Sequence, residues 1–522
     1  MSVESFTRSR TILVTVGIML ALLLAALDQT IVGTALPRIV AELQGLDYYA
    51  WVLTAYLVAS TTMTPIAGKL GDLFGRKPLL LWGMGGFMVA SALCGQAQDM
   101  AELVGARGLQ GIFAGVLMAT VFASIADLYP PRTRARIQGV FGGVFGLASV
   151  VGPTVGGYLT DSLSWRWVFY VNIPVGIAAI AFVFFAMPKF EHSASWRDID
   201  FLGAFALAAG LVPLLIAFSI TRDHDWGSPE VLGLLAIATV VLVAFYFIER
   251  RAEHPMVPFE LFKNRTFAVS VATGFLIAVG MFGTIVYVPL IYQGVLGISA
   301  TNSGALLTPM MVGLIGASIL TGQLMTRLRY YRFLGTAGIS LVIVGVWLLS
   351  GVTVGTESIE VVRDLVIVGF GVGATFPLYI NAVQSALPRN VIGVVTSQLQ
   401  FWRNVGATIG TAILGSVLAH QLPLKIADQV TALGLPAGAR AAIGQGASAQ
   451  SLFDPSRTAA IPPQVLTAIR TALASTLHDL FLYAAVAVAV AVVVSVFLEE
   501  VPLRGREPRG SEQPAPVPSF GD

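Results

Sequence analysis

Cysteine and charge are both scarce in this sequence. The 522 residues include one cysteine, Cys94, and charged residues make up 11% of the chain. A single thiol excludes a disulfide framework and a thiolate metal centre. A formal net charge of +2 does not provide the concentrated basic face that a nucleic-acid partner requires. Hydrophobic residues make up 56% of the chain, more than a soluble core could bury, so the sequence predicts an integral membrane protein.

Motifs for ATP hydrolysis and for enzyme chemistry are missing as well. The sequence has no GxxxxGK(S/T) motif of the kind that cradles ATP phosphates. It also has no recognisable metal-ligand cluster, Ser/His/acid set or pair of catalytic carboxylates. We therefore expect no enzyme, cofactor or metal. Protons are the expected energy source, since one charge crossing the membrane potential releases about 2.3 kcal/mol per 100 mV.

Long apolar runs are what the sequence has in abundance. A run of about 20 such residues crosses a bilayer as a helix, because helices satisfy every backbone group there. We count fourteen runs between Thr11 and Leu498. Most of the 31 Lys and Arg residues fall in alternate connections, which predicts that these connections and both termini are cytoplasmic. The first run continues past Asp28 without a cleavage site, which favours a retained span over a signal peptide.

A faint internal repeat suggests how the spans are grouped. The charged turn GKLGDLFGRK, Gly68 to Lys77, follows the second run, and GQLMTRLRYYR, Gly322 to Arg332, follows the tenth with a similar shape but no acid. We predict a duplicated six-span unit with two spans inserted. The expected parts are a cytoplasmic N-terminus (1–10), an N-terminal bundle (11–187), two inserted helices (188–266), a C-terminal bundle (267–498) and a disordered cytoplasmic tail (499–522).

One connection, residues 421–476, is long and rich in Ala, Gly, Pro and Gln. It contains short amphipathic pieces at 424–433 and 465–473. The parity of the spans places it outside the cell. We expect a partly ordered surface loop, with a docking site for an envelope partner as the alternative.

Two ionisable residues within the runs carry the functional hypothesis, because charges inside a membrane are costly. Asp28 lies toward the outer half of the first span, where a buried acid could take up and release a proton. Arg107 lies early in the fourth span, one helical turn from Gln110 and Gly111. It could act as a proton switch by approaching and leaving an acid. A permanently paired carboxylate and a structural ion pair are the alternatives.

The glycine-rich segment GPTVGG lies in the fifth span. Gly152, Gly156 and Gly157 permit close helix contact, and Pro153 removes one backbone hydrogen bond and bends the helix. We expect a hinge where two helix bundles meet. Generic glycine packing is the alternative.

A substrate cavity in such a protein should be mostly apolar, with aromatic and amide side chains as adaptable contacts. Aromatic residues at helix ends otherwise serve as membrane anchors. Arg403 is a further cation within a span, for which contact with an anionic substrate group and structural pairing are equally open. The other candidates are Trp51, Tyr56, Tyr287, Tyr292, Gln293, Tyr379, Asn381, Gln384, Gln398 and Trp402.

Four motifs in register resemble the signature of the major facilitator superfamily. They are LDQTIVGTALPRI, GKLGDLFGRK, RGLQG and GPTVGG. The count of fourteen spans, the segment SWRWVFYVNIPVG and the long outer loop resemble the fourteen-helix drug:proton antiporter branch of that family. The resemblance implies an all-α integral membrane fold in which two six-helix bundles rock about a central cavity, with two additional transmembrane helices at the side.

The resemblance also implies roles for single residues. Arg107 would couple transport to protons, Asp28 would handle protons or a cationic substrate, and the GPTVGG residues would set the antiporter direction. A conformational latch would join the acid at the inner end of the fourth helix to the charged turn. Its members would be Gly68, Gly71, Asp72, Gly75, Arg76, Lys77 and Asp127.

The implied activity is multidrug efflux across the cell membrane by a monomer. Protons would exchange for small-molecule amphipathic substrates, often cationic drugs or toxic compounds, by alternating access in the lipid bilayer. Export of an endogenous lipid, siderophore or metabolite is the alternative within transport. A channel or a membrane-embedded enzyme is the alternative from another class.

Overall fold

A computed structural model describes residues 8–43, 48–188, 199–221, 224–253, 255–298, 308–328, 330–432 and 462–500. Within these ranges the chain forms fourteen α-helices of 15 residues or more. They are α1 (Arg8–Leu43), α2 (Tyr49–Phe74), α3 (Arg76–Gln96), α4 (Met100–Leu128), α5 (Pro131–Ser162), α6 (Asn172–Ala186), α7 (Phe201–Ile220), α8 (Pro229–Glu249), α9 (Arg265–Pro289), α10 (Thr308–Arg327), α11 (Arg332–Ser350), α12 (Ser358–Ala386), α13 (Ile392–Ala432) and α14 (Pro463–Val496).

Shorter helical pieces flank several of these helices. A four-residue helix, Trp167–Tyr170, precedes α6, and a π-helix, Leu290–Val295, extends α9. Two 3₁₀ turns, Phe259–Lys263 and Arg389–Val391, lead into α9 and α13.

Twelve of the described helices are long and apolar enough to cross a membrane, which confirms an all-helical membrane protein. The other two are α2 and α5. They have 26 and 32 residues, which is long enough, but they carry more polar side chains. Ser60 to Thr64 form a hydroxyl-rich stretch in α2, and α5 begins with three arginines among its first six residues. The predicted total of fourteen spans therefore stays a prediction for these two helices.

Local signals explain where several helices begin. Asp99 Oδ1 accepts the Glu102 backbone N–H at 2.8 Å, while Glu102 Oε2 accepts that of Gln98 at 2.8 Å, which caps the start of α4. Gly75 alone connects α2 to α3, and its φ of 89° is a backbone conformation that favours glycine. We call the end of the bundle that contains Gly75 the turn end, and the end that contains Asp99 the far end.

The same pairings of helices occur twice in the chain. In the N-terminal half (α1–α6), α4 packs against α2 and α3, and α1 packs against α5 and α6. In the C-terminal half (α9–α14), α12 packs against α10 and α11, and α9 packs against α13 and α14. The halves meet where α2 lies on α13 and where α5 lies on α10. The inserted helices α7 and α8 pack together, and α7 also contacts α2 and α13.

The long connection is more helical at its borders than the sequence indicated. The end of α13 at Ala432 and the start of α14 at Pro463 both lie inside the predicted loop 421–476. Lys425 Nζ donates to Asp479 Oδ2 at 2.6 Å and joins the two helices there. Residues 433–461 and most of the predicted tail lie outside the described residues. The envelope-partner hypothesis stays a prediction.

Candidate functional site

Asp28 lies at the centre of a buried polar cluster in the N-terminal half. Its side chain is 0% exposed, and Arg107 Nη1 donates to its Oδ2 atom at 2.5 Å. Its Oδ1 atom accepts from Gln110 Nε2 at 2.9 Å and from Asn172 Nδ2 at 3.0 Å. The carboxylate of α1 is therefore held by side chains of α4 and α6. We call these four residues the Asp28 cluster.

Arg107 is fixed from several sides. Its Nη1 atom also donates to Gln110 Oε1 at 2.6 Å, and its Nε atom donates to the Val52 carbonyl at 3.3 Å. Its guanidinium carbon lies 4.2 Å from the centre of the Tyr56 ring. Tyr56 is 1% exposed, so the structure places this predicted cavity residue beneath Arg107 and not on an open surface. A Cβ added at Gly111 would lie 2.4 Å from the Tyr56 carbonyl oxygen, which explains why glycine allows α2 to approach here.

Asn172 and Ser91 belong to this site but were missed in the sequence. Ser91 Oγ accepts from Gln110 Nε2 at 3.1 Å and from Asn172 Nδ2 at 2.9 Å, and it donates to the Phe169 carbonyl at 3.0 Å. An amide within an apolar run, as in the segment FYVNIPVG, is the signal that points to Asn172. Ser91 carries no such signal, because a serine is common in membrane helices.

The Asp28 cluster is chemically a closed ion pair. Both charged side chains are no more than 1% exposed, and several hydrogen bonds compensate for their removal from water. Protonation of Asp28 would remove the negative charge and leave Arg107 without a counter-charge. Since neither group reaches solvent in this conformation, a proton can exchange only after the surrounding helices move.

A second charged group closes the turn end. Arg76 forms an ion pair with Asp72 and donates from Nε to Asp127 Oδ2 at 2.9 Å. Asp72 also accepts the backbone N–H groups of Gly393 and Val394 at 2.9 and 2.8 Å. Those amides belong to the first turn of α13, where unpaired N–H groups and the helix dipole favour a carboxylate. The structure thus brings the three predicted latch charges together and adds a partner in the opposite half.

The glycines of the charged turn allow this close approach, and Lys77 binds the end of α6. A Cβ added at Gly68 would lie 2.0 Å from Ser397 Oγ of α13, and one at Gly71 would lie 2.5 Å from Arg76 Nη1. Lys77 Nζ donates to the carbonyls of Phe184 and Met187 at 2.7 and 2.6 Å. These contacts satisfy the end of α6 within the N-terminal half.

The GPTVGG segment has described contacts with α1 of its own half, and the hinge predicted there stays a prediction. A Cβ added at Gly152 would lie 2.0 Å from Thr30 Oγ1, and one at Gly156 would lie 2.4 Å from Thr34 Oγ1. Both neighbours belong to α1 of the same half. An added Cβ at Gly157 would meet nothing within 4 Å, and the side chain of Pro153 lies outside the described residues. These contacts fit close packing of α5 on α1.

Another set of glycines in α5 makes the contact with the other half. A Cβ added at Gly139 would lie 2.6 Å from the Ser318 carbonyl oxygen, and one at Gly146 would lie 2.8 Å from Ile315 Cγ1. Gly322 of α10 approaches α5 in return, since its Cβ would lie 2.5 Å from the Ala135 carbonyl oxygen. The segment GVFGGVFG, which the sequence analysis did not single out, is therefore a small-residue contact between α5 and α10 of the two halves.

Two amides predicted to line the cavity join the halves at the turn end. Asn381 Nδ2 donates to Gln138 Oε1, and Gln384 Oε1 accepts from Gln138 Nε2 at 3.1 Å. Gln384 Nε2 donates to Thr396 Oγ1 at 2.9 Å. Both amides are buried, so they close the turn end between α5 and α12 in this conformation.

The remaining predicted cavity residues differ in burial, and two of them line one cavity. Tyr287, Tyr292 and Gln398 are buried, while Trp51, Gln293 and Trp402 are partly buried. Tyr379 and Arg403 both line a cavity of about 40 Å³ within the C-terminal half, between α9, α12 and α13. We call it the Arg403 cavity. Its other polar lining residues are Ser270, Thr375 and Gln400.

Two bundles of six helices with a buried ion pair and a closed turn end define a membrane transporter. Residues 18–411 match the model of the Major Facilitator Superfamily, and the chain belongs to this family. It is 39% identical to "Multidrug transporter protein MdtP" of Bacillus subtilis (strain 168), over 98% of this chain and 97% of that protein. It is 36% identical to "Multidrug resistance protein 3" of the same organism, over 95% and 97% of the two chains.

Solved structures share the fold at low sequence identity. The human organic anion transporter MFSD10 (TETRAN) aligns with a TM-score of 0.59 and 16% identity, over 92% of this chain and 99% of that one. The proton:xylose symporter XylE aligns with a TM-score of 0.58 and 13% identity, over 95% and 98%. These likenesses concern the fold alone. The predicted family is confirmed.

Proposed function

We propose that this protein is a proton-coupled antiporter of the fourteen-helix branch, which exports amphipathic drugs or other toxic compounds across the cell membrane. The Asp28 cluster carries the proposal, because it is a carboxylate that is fully buried in a membrane bundle and compensated by one arginine. The names of the two Bacillus subtilis relatives support drug export as the activity.

The coupling would work because a proton competes with Arg107 for the Asp28 carboxylate. A proton on the carboxylate removes its charge, so Arg107 loses its ion pair and α4 is held less firmly to α1. The opening of the turn end would in turn require Asp72 to release the start of α13. Substrate and proton would then be taken up in alternate conformations, because each favours a different arrangement of the same bundle.

The proposal includes α2 and α5 as spans and places both termini in the cytoplasm. One residue connects α2 to α3 at the turn end, and two residues separate α4 from α5 there. Connections this short require both partners of each pair to run back across the bundle. Arg10, Lys69, Arg76 and Lys77 lie at the turn end, and cytoplasmic connections are enriched in such cations.

Transport in reconstituted vesicles tests the proposal. Purified protein should accumulate a fluorescent amphipathic dye when a pH gradient is imposed, and a protonophore should abolish this accumulation. Asp28→Asn should lose the proton-driven component because the amide cannot bind a proton in the carboxylate's place. Asp225→Asn is a matched control, since its side chain is 82% exposed and lies outside the Asp28 cluster. Accumulation that persists without a proton gradient, or in Asp28→Asn, would contradict the proposal. Current without saturation would indicate a channel.

A further inference from the structure

The two arginines within the membrane helices differ in how their charge is balanced. Arg107 has the Asp28 carboxylate at 2.5 Å. Arg403 forms no ion pair with an acid in the part of the chain that the structure describes. It lies about 16 Å from the start of α13 at 1.5 Å per residue, which is near the middle of a hydrocarbon core of roughly 30 Å. A cation at this depth is costly unless it is compensated, and such residues commonly mark the path of a substrate or an ion.

The surrounding helices hold Arg403 in a defined position. Its guanidinium carbon lies 4.3 Å from the centre of the Phe376 ring of α12. Its stem passes Gly274 of α9, where an added Cβ would lie 3.3 Å from Arg403 Cγ. Stacking on an aromatic ring occupies one face of a guanidinium and leaves its N–H groups, which lie in the plane, free to bind two oxygens at once.

A second donor without a partner lines the same cavity. Ser270 is 0% exposed, and its Oγ atom has no hydrogen-bond partner among the described residues. It lines the Arg403 cavity from α9, so its hydroxyl and the guanidinium are available to one bound group. Buried hydroxyls are normally hydrogen-bonded, which makes this one a candidate ligand contact.

The shape and lining of the cavity limit what this group is. About 40 Å³ accommodates a small group such as a carboxylate but not a drug-sized molecule. The rest of the lining is mainly apolar, with Ile277, Met281 and Val372 among its residues. The carbon atoms next to the carboxylate would therefore find apolar contacts beside it.

We propose that the Arg403 cavity is a subsite for the carboxylate of an amphipathic organic anion or zwitterion. This inference rests on the proposed export function and names a substrate class for it. Asp28 does not oppose such a ligand, because its charge is already balanced by Arg107 within the Asp28 cluster. The charge that faces the proposed ligand is that of Arg403, which lines the Arg403 cavity.

Equilibrium binding to purified protein in detergent tests the subsite without any proton gradient. The probes are 1-pyrenebutyrate and its neutral amide, which share one fluorescent apolar body. The wild-type protein should bind the carboxylate about tenfold more tightly than the amide, since a charge-assisted bidentate contact is worth at least that factor. Arg403→Met should reduce this preference to about one. Arg265→Met is the matched control, because Arg265 is 54% exposed, its partner Glu499 is 56% exposed, and it lies outside the cavity.

Two further variants test the subsite if Arg403→Met does not fold. Arg403→Lys should retain part of the preference, and Ser270→Ala should lower it by about threefold through the loss of one donor. Equal affinity for the two probes in the wild-type protein, or an unchanged preference in Arg403→Met, would overturn the subsite. If the preference holds but dye export needs no proton gradient, the proposed function fails and the subsite stands. If export is proton-driven and no preference exists, only the subsite fails.

Discussion

The two halves of the bundle share their helix pairings but distribute buried charge differently. In the N-terminal half, Arg107 is enclosed with Asp28, Gln110 and Asn172 and has no access to solvent. In the C-terminal half, Arg403 lines a cavity and rests on the Phe376 ring, with no acid paired to it in the described ranges. The duplicated architecture therefore carries an internal ion pair on one side and, on our proposal, a ligand contact on the other.

The two repeated turns differ in the same way. Gly68 and Gly322 occupy equivalent positions, and each lies closely against a helix of the opposite half. The position of Asp72 is occupied by Thr326 in the second turn, and Thr326 Oγ1 donates to the Gln323 carbonyl of its own helix at 2.6 Å. The close packing is thus repeated, whereas within the described residues a carboxylate accepts hydrogen bonds from the facing helix at the first turn but not at the second.

The largest expected effect is on stability, and it tests the contrast between the two arginines. Arg107→Met leaves Asp28 buried without its counter-charge and should lower the free energy of unfolding by about 3 to 5 kcal/mol. Arg403→Met removes a cation that has no ion pair within the described residues and should change the free energy of unfolding by less than about 1 kcal/mol. Thermal or denaturant unfolding of the purified variants in one detergent measures both.

The double variant Asp28→Leu/Arg107→Met sharpens the same comparison. It should be more stable than Arg107→Met alone, because no unpaired charge remains, yet it should not transport. Similar losses of stability in Arg107→Met and Arg403→Met would contradict the contrast that we draw between the halves.

The shared glycines should give the next largest effect. Gly68→Ala and Gly322→Ala each add a Cβ within 3 Å of the facing half, which should disfavour closure of the turn end by about 1 to 3 kcal/mol. Gly157→Ala is the control, because its Cβ would meet nothing within 4 Å. Distances between spin labels on the two halves at the turn end report the change. Equal distance distributions in all three variants would argue against these contacts.

A smaller shift is expected from the acid that the second turn lacks. Asp72→Asn weakens the hydrogen bonds to Gly393 and Val394 and the pairing with Arg76, so the open population at the turn end should rise about tenfold. Thr326→Ala should leave it unchanged, since Thr326 bonds within its own helix. The same spin-label distances measure the populations, and an equal response of the two variants would remove the asymmetry between the turns.

The smallest effect is expected at Asp127. Its side chain is 28% exposed and contacts Arg76 at 2.9 Å without touching the opposite half in the described structure. Because partly hydrated pairs contribute little, Asp127→Asn should shift the closed population by less than about 1 kcal/mol. A shift as large as that of Asp72→Asn would mean that Asp127 carries the closure.

Local motifs allowed the charged groups to be predicted, whereas contacts between distant helices were harder to foresee. Asp28, Arg107, Asp72, Arg76 and Asp127 stand out in the sequence because charge within long apolar runs is rare. The twelve apolar helices follow from the length of those runs alone. The finer split into fourteen spans depends on α2 and α5, whose polar residues dilute that signal.

Backbone atoms and small residues account for what was missed. The amides of Gly393 and Val394 that bind Asp72 exist at any residue except proline, so no side chain indicated them. Gly142 and Gly146 have the same four-residue spacing as Gly152 and Gly156, yet in the described structure the first pair contacts the opposite half and the second pair contacts α1. Which glycine pair lies at that contact is decided by how the whole helices are oriented, and helical spacing does not contain this information.

The contact between Asp72 and the start of α13 has a consequence for how much work opening requires. When the turn end separates, water can hydrate both the carboxylate and the two amides, so protein hydrogen bonds are exchanged for solvent ones rather than lost. The net difference for each such exchange is only about 0.5 to 1.5 kcal/mol, or somewhat more for a charged acceptor. These hydrogen bonds therefore contribute little to the balance between closed and open, and on the proposed function the binding of one proton or one substrate molecule is enough to shift it.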